Sequence, residues 1–385
     1  MLIVDGVFLL RGELRDYRDL SVFLQISPAE SLRRALRRDV ALFGSPDAVR
    51  ERYEARYLPG QALYQASAAP GERVDVLIDY ERPEGPAFCV GPCEQPAPCW
   101  QQRSTVNEIR TLLTGRGLVE SPRWHGGRLY LSDWSAGEIV AVDLAGGSEV
   151  VARVESLPLC TAWLPDGRLL IVSSAAGLLL RREPDGALVT HADLGGVGWN
   201  DIVVDGRGNA YVNQVGFDPV GGESFGPGSV VVVTVDGSVR QVADNVAFPN
   251  GMAVTSDNAT LIVADSYRHC LLAFDIGADG GLSNRRVWAD LGVGAPDGIC
   301  VDAQNAVWYA DVPNQRCVRV AEGGTVLRTV ELDRGCFACA LGGPDGTELF
   351  MVAAEWRGMT EAEMVSPGSG QVLVTQVDVP GAGWP

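Results

Sequence analysis

The sequence predicts an all-β six-bladed β-propeller, preceded by a partial α/β segment. A pattern of strand, turn and strand recurs six times, with its first residues at positions 120, 160, 200, 250, 297 and 337. The intervals of 40 to 50 residues are typical of propeller blades, each of which closes its core only against its neighbours. The 46 glycines among 385 residues agree with an all-β body that has many turns.

The clearest copy of the repeat is PDGICVDAQNAVWYAD at 296, which contains a carboxylate, an apolar strand, a polar hairpin tip and a second apolar strand. Related copies are NGMAVTSDNATLIVADS at 250, NDIVVDGRGNAYVNQ at 200 and ESPRWHGGRLYLSDW at 120, and weaker ones begin at 160 and 337. Six copies predict six blades. The C-terminal VLVTQVDVPGAGWP is expected to complete the last blade and close the ring, which removes an exposed sheet edge.

The first residues of the repeats predict a cation site. Equivalent positions of successive blades point at one central channel, and four of the six carry side-chain oxygens, namely Glu120, Asn200, Asn250 and Asp297. Two carboxylates facing each other repel unless a cation lies between them, and oxygen donors suit a divalent metal. The alternative for Asn250 and Asp297 is a turn role, because Asn-Gly and Asp-Gly are common turn signals.

Residues 1–85 do not belong to the repeat. Their apolar patterns predict strands at 2–10, 19–26 and 74–78 and helices at 29–39 and 45–56. Alternating strands and helices indicate an α/β segment. Residues 86–106 are rich in Pro and Cys and are expected to be a linker, which leaves 107–385 for the propeller.

The composition excludes several classes of function. A formal charge of -18 argues against nucleic acid or an anionic membrane as partner. The chain contains no Lys, which excludes Schiff-base chemistry, and a His-based zinc site would need nearly all of its three His. Nine Cys, an odd number, without a secretory leader or a membrane-spanning apolar run predict reduced thiols in the cytoplasm.

Residues 107–385 resemble the senescence-marker-protein/gluconolactonase family, also called regucalcin-like. The motifs that carry the resemblance are ESPRW at 120, WND at 199, FPNGMAV at 248, VADS at 263, FDIGADGGLSNRR at 274 and PDGICVDAQNAVWYAD at 296. The resemblance implies a propeller that binds one divalent cation and hydrolyses small-molecule lactones or related esters. It assigns the metal ligands to Glu120, Asn200, Asn250 and Asp297.

The resemblance also implies that a metal-activated water attacks in the channel, and we expect Asp297 to be its general base. Ca²⁺ is the cation that we expect first, and Zn²⁺, Mg²⁺ and Mn²⁺ are the alternatives. A non-catalytic propeller that binds a ligand or a protein, with a structural metal, is the alternative function. Turnover that requires Asp297 would distinguish the enzyme from the binding module.

Residues 1–85 resemble the C-terminal half of uridine-kinase-like P-loop kinases. The resemblance rests on VDGVFLL at 4, DLSVFLQISPAESLRRALRRD at 19, YLPGQALY at 57 and VDVLID at 74. The glycine-rich phosphate loop is missing and the chain has no Lys, so we expect no phosphoryl transfer from this segment.

Several residues near the expected channel mouth have two interpretations. Asp201 is either a residue that orients the Asn200 amide or a cap at the start of a strand, and Trp199 either packs in the core or lines the pocket. Gly198 stands where sugar-lactonase members often carry a substrate-contacting Arg, which argues against an aldonolactone substrate. The Gly-rich loop 216–228 is expected to overhang the channel as a lid or specificity loop. The three Asp residues that end repeat strands are expected to pin turns, at Asp133, Asp265 and Asp311.

Overall fold

The computed structural model describes residues 21–61, 64, 76–79, 87–90, 109–218, 221–358 and 364–383. The chain divides into two compact units, Met1–Val106 and Asn107–Pro385. The strand predicted at 2–10 and most of the stretch predicted as a linker lie outside the described residues.

The N-terminal unit contains a small sheet and a group of helices. Strands β1 and β2 pair in parallel and β2 and β3 antiparallel, with bounds Val22–Gln25, Val76–Asp79 and Ala87–Val90. The helices are α1 Pro28–Arg38, α2 Val40–Phe43 and α3 Pro46–Arg52, and a π-helical turn Tyr53–Tyr57 follows α3. Both predicted helices are confirmed in position, while β3 falls in the stretch predicted as a linker.

Side-chain caps explain where these two helices begin. The Ser27 hydroxyl accepts a hydrogen bond from the Glu30 amide at 3.1 Å, and the Ser45 hydroxyl accepts one from the Ala48 amide at 3.1 Å. In each case a Pro follows the capping Ser, where its fixed φ suits the first helical turn. None of the helices in the described part of the chain combines the length and the apolar character needed to cross a bilayer.

The second unit is a six-bladed propeller of four-stranded antiparallel sheets, as predicted. Blade 1 contains β5 Val119–His125, β6 Arg128–Asp133, β7 Glu138–Val142 and β8 Ser148–Arg153. Blade 2 contains β9 Leu159–Trp163, β10 Leu169–Ser173, β11 Leu178–Arg182 and β12 Leu188–Asp193. Blade 3 contains β13 Trp199–Val204, β14 Ala210–Gln214, β15 Gly228–Val233 and β16 Val239–Val246.

The remaining blades repeat this arrangement. Blade 4 contains β17 Pro249–Val254, β18 Thr260–Asp265, β19 Cys270–Ile276 and β20 Leu282–Asp290, with a 3-10 turn Ser266–Arg268 after β18. Blade 5 contains β21 Pro296–Val301, β22 Val307–Asp311, β23 Arg316–Val320 and β24 Val326–Glu331. Blade 6 contains β25 Gly335–Gly342, β26 Glu348–Ala354, β27 Gly370–Gln376 and, from the start of the propeller unit, β4 Arg110–Arg116.

The ring closes by a strand from each end of the propeller unit. The C-terminal strand β27 is the third strand of blade 6, and β4 pairs with it as the fourth, with Leu113 opposite Val372. The expectation that the C-terminal segment completes the last blade was therefore wrong by one strand. Closure by β4 needs pairing between residues more than 250 positions apart, which a local sequence pattern does not reveal.

The first and second strands of each blade, here called the inner strands, are nearly continuous apolar runs because both of their faces are packed against other strands. The first strands of successive blades contact one another around the ring, and the second strands lie directly outside them. Every residue of β10 and of β22 is buried. A strand covered on both sides has no solvent face, so it shows no alternation of apolar and polar residues.

Carboxylates at the ends of second strands hold the connections between blades. Each of these buried groups accepts hydrogen bonds from backbone amides of the segment that enters its own blade. The amides are those of Gly117 for Asp133, Ala247 and Phe248 for Asp265, and Ala295 for Asp311. The expectation that these three Asp residues are structural is confirmed.

Replacement of Asp265 by Ala is expected to lower the free energy of unfolding by about 2–4 kcal/mol. The Asp265 carboxylate is fully buried and accepts from the backbone amides of Ala247, Phe248 and Arg268 at 2.9, 3.1 and 3.3 Å, so its loss leaves three donors without this partner. Urea denaturation followed by tryptophan fluorescence measures the change. Asp244→Ala, at an exposed carboxylate, is the control, and equal destabilisation by the two variants would contradict this role.

Candidate metal centre

The four predicted ligands lie at the start of first strands, next to a β-bulge in each. In β13 the pair Asn200 and Asp201 faces the single residue Asn213, because the register shifts between Trp199 and Ile202. Equivalent shifts follow Glu120 in β5 and occur at Asn250 in β17 and at Asp297 in β21. A bulge bends its strand and redirects the side chains around it. Asn250 and Asp297 therefore belong to strands, and the turn interpretation was wrong.

The glycines after Asn250 and Asp297 serve close packing of neighbouring blades. A Cβ atom on Gly251 would lie 2.5 Å from the Ile299 nitrogen, and one on Gly298 would lie 2.2 Å from the Ala338 Cβ. No larger residue fits at these distances without a shift of the backbone. The first strands of blades 4, 5 and 6 thus approach each other closely at the level of the predicted site.

The structure brings the predicted ligands together. Glu120, Asn200 and Asn250 line one small cavity, and so does Gly298, the residue after Asp297. The Asn200 Nδ2 donates to Asn250 Oδ1 at 3.2 Å, and the Asp297 carboxylate interacts with the Asn250 side chain. Four side chains that lie 47 to 177 residues apart in the sequence therefore meet at one end of the channel.

Burial and mutual repulsion perturb both carboxylates. Burial raises the pKa of Glu120 to about 8; the Asp201 charge adds to this shift, and the Ser121 amide, which donates at 2.8 Å, opposes it. Burial also raises the pKa of Asp297 well above its usual range, and the charges of Glu120 and Asp201 act in the same direction. The protein thus does not fully compensate the negative charges of the two carboxylates, and a bound cation would compensate them.

The donor set excludes a His-based site. In the described residues no three His, Cys, Asp or Glu side chains are grouped so as to hold a metal ion, and the predicted centre has two carboxylates beside two amides. His125 stacks on Trp163 with ring centroids 3.8 Å apart, and His269 Nδ1 lies 2.9 Å from the Gly294 carbonyl oxygen. Oxygen donors are the groups that hard divalent cations prefer.

Asp201, on blade 3, is bonded to residues of blades 1 and 4 and does not orient the Asn200 amide. Its carboxylate accepts from the Met252 amide at 2.8 Å and from Arg123 Nη2 at 3.2 Å. The same Arg123 nitrogen donates to the Ile202 carbonyl oxygen at 2.8 Å. The Asn200 Nδ2 instead donates to the Pro249 carbonyl oxygen at 3.3 Å and to Asn250 Oδ1 at 3.2 Å, so the expectation that Asp201 orients this amide was wrong.

Arg123 is a residue that the sequence analysis missed. Its side chain is 6% exposed, and it brings positive charge next to the buried acidic groups. The sequence signal that could have identified it is a charged Arg within the motif ESPRW, because the preceding residues of this strand are buried.

Polar side chains from blades 3 and 4 hold the backbone around the ligands. Asn213 Oδ1 accepts from the Asp201 amide at 3.1 Å, and Asn213 Nδ2 donates to the Asn250 carbonyl oxygen at 2.5 Å. Ser266 Oγ accepts from Asn250 Nδ2 at 3.3 Å and donates to the Pro296 carbonyl oxygen at 2.6 Å. This chain of hydrogen bonds fixes the starts of β13, β17 and β21 relative to one another.

The region beside Asn200 offers little polar recognition. Trp199 is 3% exposed and packs in the core, where its Nε1 donates to the Gly195 carbonyl oxygen at 2.7 Å. Gly198 has φ 85°, and a Cβ there would lie 2.9 Å from the Val215 carbonyl oxygen. An Arg at this position would need a different local backbone.

Three curated relatives show the range of similarity. The chain is 28% identical over 162 residues to 6-deoxy-6-sulfogluconolactonase of Pseudomonas putida, covering 41% of this chain and 56% of that protein. It is 35% identical over 133 residues to regucalcin of Xenopus laevis, which covers 33% of this chain and 44% of that protein. It is 25% identical over 270 residues to pentonolactonase XacC of Haloferax volcanii, which covers 64% of this chain and 84% of that protein. The chain thus matches about half the length of the first two relatives.

Solved structures support the fold. A luciferin-regenerating enzyme superposes with a TM-score of 0.61 at 20% identity, covering 71% of this chain and 97% of that one. A calcium-binding protein, regucalcin, from Agrobacterium tumefaciens superposes with a TM-score of 0.61 at 23% identity, covering 71% and 95%. At these identities the likeness concerns the architecture of the propeller.

The comparisons do not support the kinase resemblance of residues 1–85. An apolar strand followed by an Arg-rich amphipathic helix is a general α/β pattern, and without a phosphate-binding loop it does not identify a kinase. The family model described as SMP-30/Gluconolactonase/LRE-like region, in contrast, matches residues 118–355, more than half of the chain. The chain therefore belongs to the SMP-30/gluconolactonase/LRE-like family.

Proposed function

We propose that this protein is a metal-dependent hydrolase that opens lactones or related cyclic esters. The convergence of Glu120, Asn200, Asn250 and Asp297 at one end of the channel carries the proposal. Membership of a family whose named relatives include two lactonases supports the choice of reaction.

The donor set fits a divalent cation. Glu120 and Asp297 would supply two negative charges, and Asn200 and Asn250 would supply amide oxygens. Among common cations, Ca²⁺ matches these donors well, and Zn²⁺, Mg²⁺ and Mn²⁺ are the alternatives. When bound, the cation would polarise the lactone carbonyl and lower the pKa of a water molecule in the site.

The proposed chemistry assigns a proton-transfer role to Asp297. Its carboxylate would accept a proton from water as the water oxygen adds to the carbonyl carbon of the lactone. The same proton would pass to the ring oxygen as the bond between that oxygen and the carbonyl carbon breaks, which yields the open hydroxy acid. Asp297 must be ionised to act as this base, and a cation bound beside it would favour the ionised form that burial disfavours.

Replacement of Asp297 by Ala is expected to lower lactone hydrolysis at least about 100-fold, because the variant loses the proposed general base and one ligand. The assay uses metal-stripped protein resupplied with single divalent cations and a panel of γ- and δ-lactones. Asp297→Asn keeps the side-chain volume and an oxygen donor, and it separates loss of the base from loss of metal affinity. Asp378→Asn, at a carboxylate that is 97% exposed, is the control.

Two outcomes would contradict the proposal. Cation binding without turnover of any lactone or ester would leave a binding propeller as the function. Full activity in Asp297→Asn, with the control also fully active, would exclude proton transfer at Asp297.

The pH dependence of stability tests the charge excess at the site. Because the pKa of Glu120 rises from 4.5 to about 8 on folding, the metal-stripped native state binds a proton that the unfolded state has released over that range. Its melting temperature is therefore expected to fall by several degrees as the pH rises from 5 to 8. The raised pKa of Asp297 acts with the same sign.

Glu120→Gln removes this titration and should give a flatter profile, with a higher melting temperature than wild type at pH 8. Added Ca²⁺ should stabilise wild type most at pH 8 and Glu120→Gln much less. Thermal denaturation followed by circular dichroism, with chelator or Ca²⁺, makes both comparisons. A wild-type profile without the fall, or equal Ca²⁺ stabilisation of the two proteins, would contradict the assignment of Glu120 to the site.

A further inference from the structure

Four aromatic side chains form a cluster, here called the aromatic platform, made of Phe217, Phe225, Phe248 and Tyr267. The Phe248 and Tyr267 rings stack with centroids 4.7 Å apart, and Phe217 lies 5.5 Å from Phe225 and 6.0 Å from each of the other two. The rings come from two different blades, since Phe217 and Phe225 belong to the loop between β14 and β15. Such ring contacts stabilise the cluster beyond the burial of its surface and give it a defined arrangement.

The platform is connected directly to the candidate metal centre. Phe248 comes two residues before Asn250, at the entry to β17. Tyr267 follows Ser266, whose hydroxyl accepts from Asn250 Nδ2 at 3.3 Å. The loop that carries the other two rings begins just after β14, whose last residue pairs with Trp199, the neighbour of Asn200. All four rings therefore lie at the end of the propeller where the candidate ligands lie.

Two of the four rings face solvent. Phe225 is 58% exposed and Tyr267 is 47% exposed, while Phe248 is buried beneath them at 8%. A contiguous apolar surface at the rim of a polar site is typical of ligand-binding sites. An exposed apolar surface is unfavourable in water, and a bound ligand removes it from water. The platform has a fixed base and an exposed upper surface.

The guanidinium group that follows Tyr267 is already engaged within the protein. Arg268 follows Tyr267, and its guanidinium donates to the Asn245 carbonyl oxygen at 2.7 Å and to Asp265 Oδ2 at 3.2 Å. On the side of Asn200, Gly198 contributes no side chain. The surface next to the candidate ligands thus favours contact with apolar groups over contact with hydroxyl groups.

We propose that the aromatic platform binds an apolar substituent of the substrate, about the size of a phenyl ring, while the lactone carbonyl lies at the candidate metal centre. The inference rests on the proposed function and narrows its substrate class from lactones in general to lactones with an apolar substituent. The apolar substituent stacks on Phe225 and Tyr267, and this contact increases the affinity for the substrate. Polyhydroxylated sugar lactones have no such substituent and do not make this contact.

Hydrolysis of γ-phenyl-γ-butyrolactone and of xylono-1,4-lactone, with Ca²⁺ present, tests the proposal in the full chain. Wild type is expected to prefer the phenyl lactone. Phe225→Ala and Tyr267→Ala are each expected to lower kcat/KM for the phenyl lactone about tenfold, mainly through KM, and to leave the sugar lactone unchanged. Tyr267→Phe keeps the ring and should stay within about twofold of wild type.

Val235→Ala is the matched control, since Val235 is 66% exposed in the turn between β15 and β16 at the opposite end of blade 3. Equal losses on both lactones, or no loss on either, would overturn the role of the platform. The exposed position of Phe225 keeps this variant foldable, and a melting temperature within about two degrees of wild type checks that.

Binding of the lactam 5-phenyl-2-pyrrolidinone, measured by isothermal titration calorimetry, separates this proposal from the proposed function. The lactam resembles the phenyl lactone and resists hydrolysis, so its affinity reports on binding without turnover, and the comparison of wild type with Phe225→Ala isolates the contribution of the platform. Weaker lactam binding in Phe225→Ala, even in a protein that hydrolyses no lactone, supports the platform and rejects the hydrolase. Lactone hydrolysis with lactam binding equal in wild type and Phe225→Ala supports the hydrolase and rejects the platform.

Discussion

The close approach of the first strands around the channel is the constraint on which the candidate site depends. Gly251 and Gly298 leave no room for a Cβ atom, so neighbouring blades approach at the level of Asn250 and Asp297. Each ligand is contributed by a different blade, and no single segment holds two of them. The candidate site therefore depends on closure of the ring, to which the pairing of β4 with β27 contributes.

This approach also concentrates negative charge. Burial raises the pKa of Glu120, Asp201 and Asp297. The charge of Asp201 adds to the shift of Glu120, and the charges of Glu120 and Asp201 add to that of Asp297. The chain treats the three groups differently. Asp201 receives Arg123 and a backbone amide, which makes it an internal tie, whereas Glu120 and Asp297 receive weaker compensation from the protein. We therefore expect a cation to bind at Glu120 and Asp297, whereas the Asp201 carboxylate already has its partners within the protein.

Much of this architecture follows from the period of the sequence. A repeat of 40 to 50 residues predicts the blades, and the polar residues at its start predict which side chains share the channel, because a propeller places equivalent residues together. The interpretation of Asn250-Gly251 as a turn failed because the bulge depends on contact with the next blade. The role of Arg123 and the position of β4 were missed for the same reason, since their partners lie 78 and more than 250 residues away. Local sequence patterns therefore predict the blade repeat, but they do not predict contacts between residues far apart in the sequence.

The positions of the two kinds of residue explain how one scaffold can serve different substrates. The ligands lie on bulged inner strands, whose geometry is fixed by glycine contacts and by the hydrogen bonds of Asn213 and Ser266. The two exposed rings of the aromatic platform, Phe225 and Tyr267, instead lie on a loop and on a 3-10 turn, each of which follows an inner strand. The carboxylate of Asp265 anchors the start of that turn by accepting from the Arg268 amide at 3.3 Å. Changes in the exposed rings can therefore alter which substituent is bound without disturbing the strands that would hold the cation.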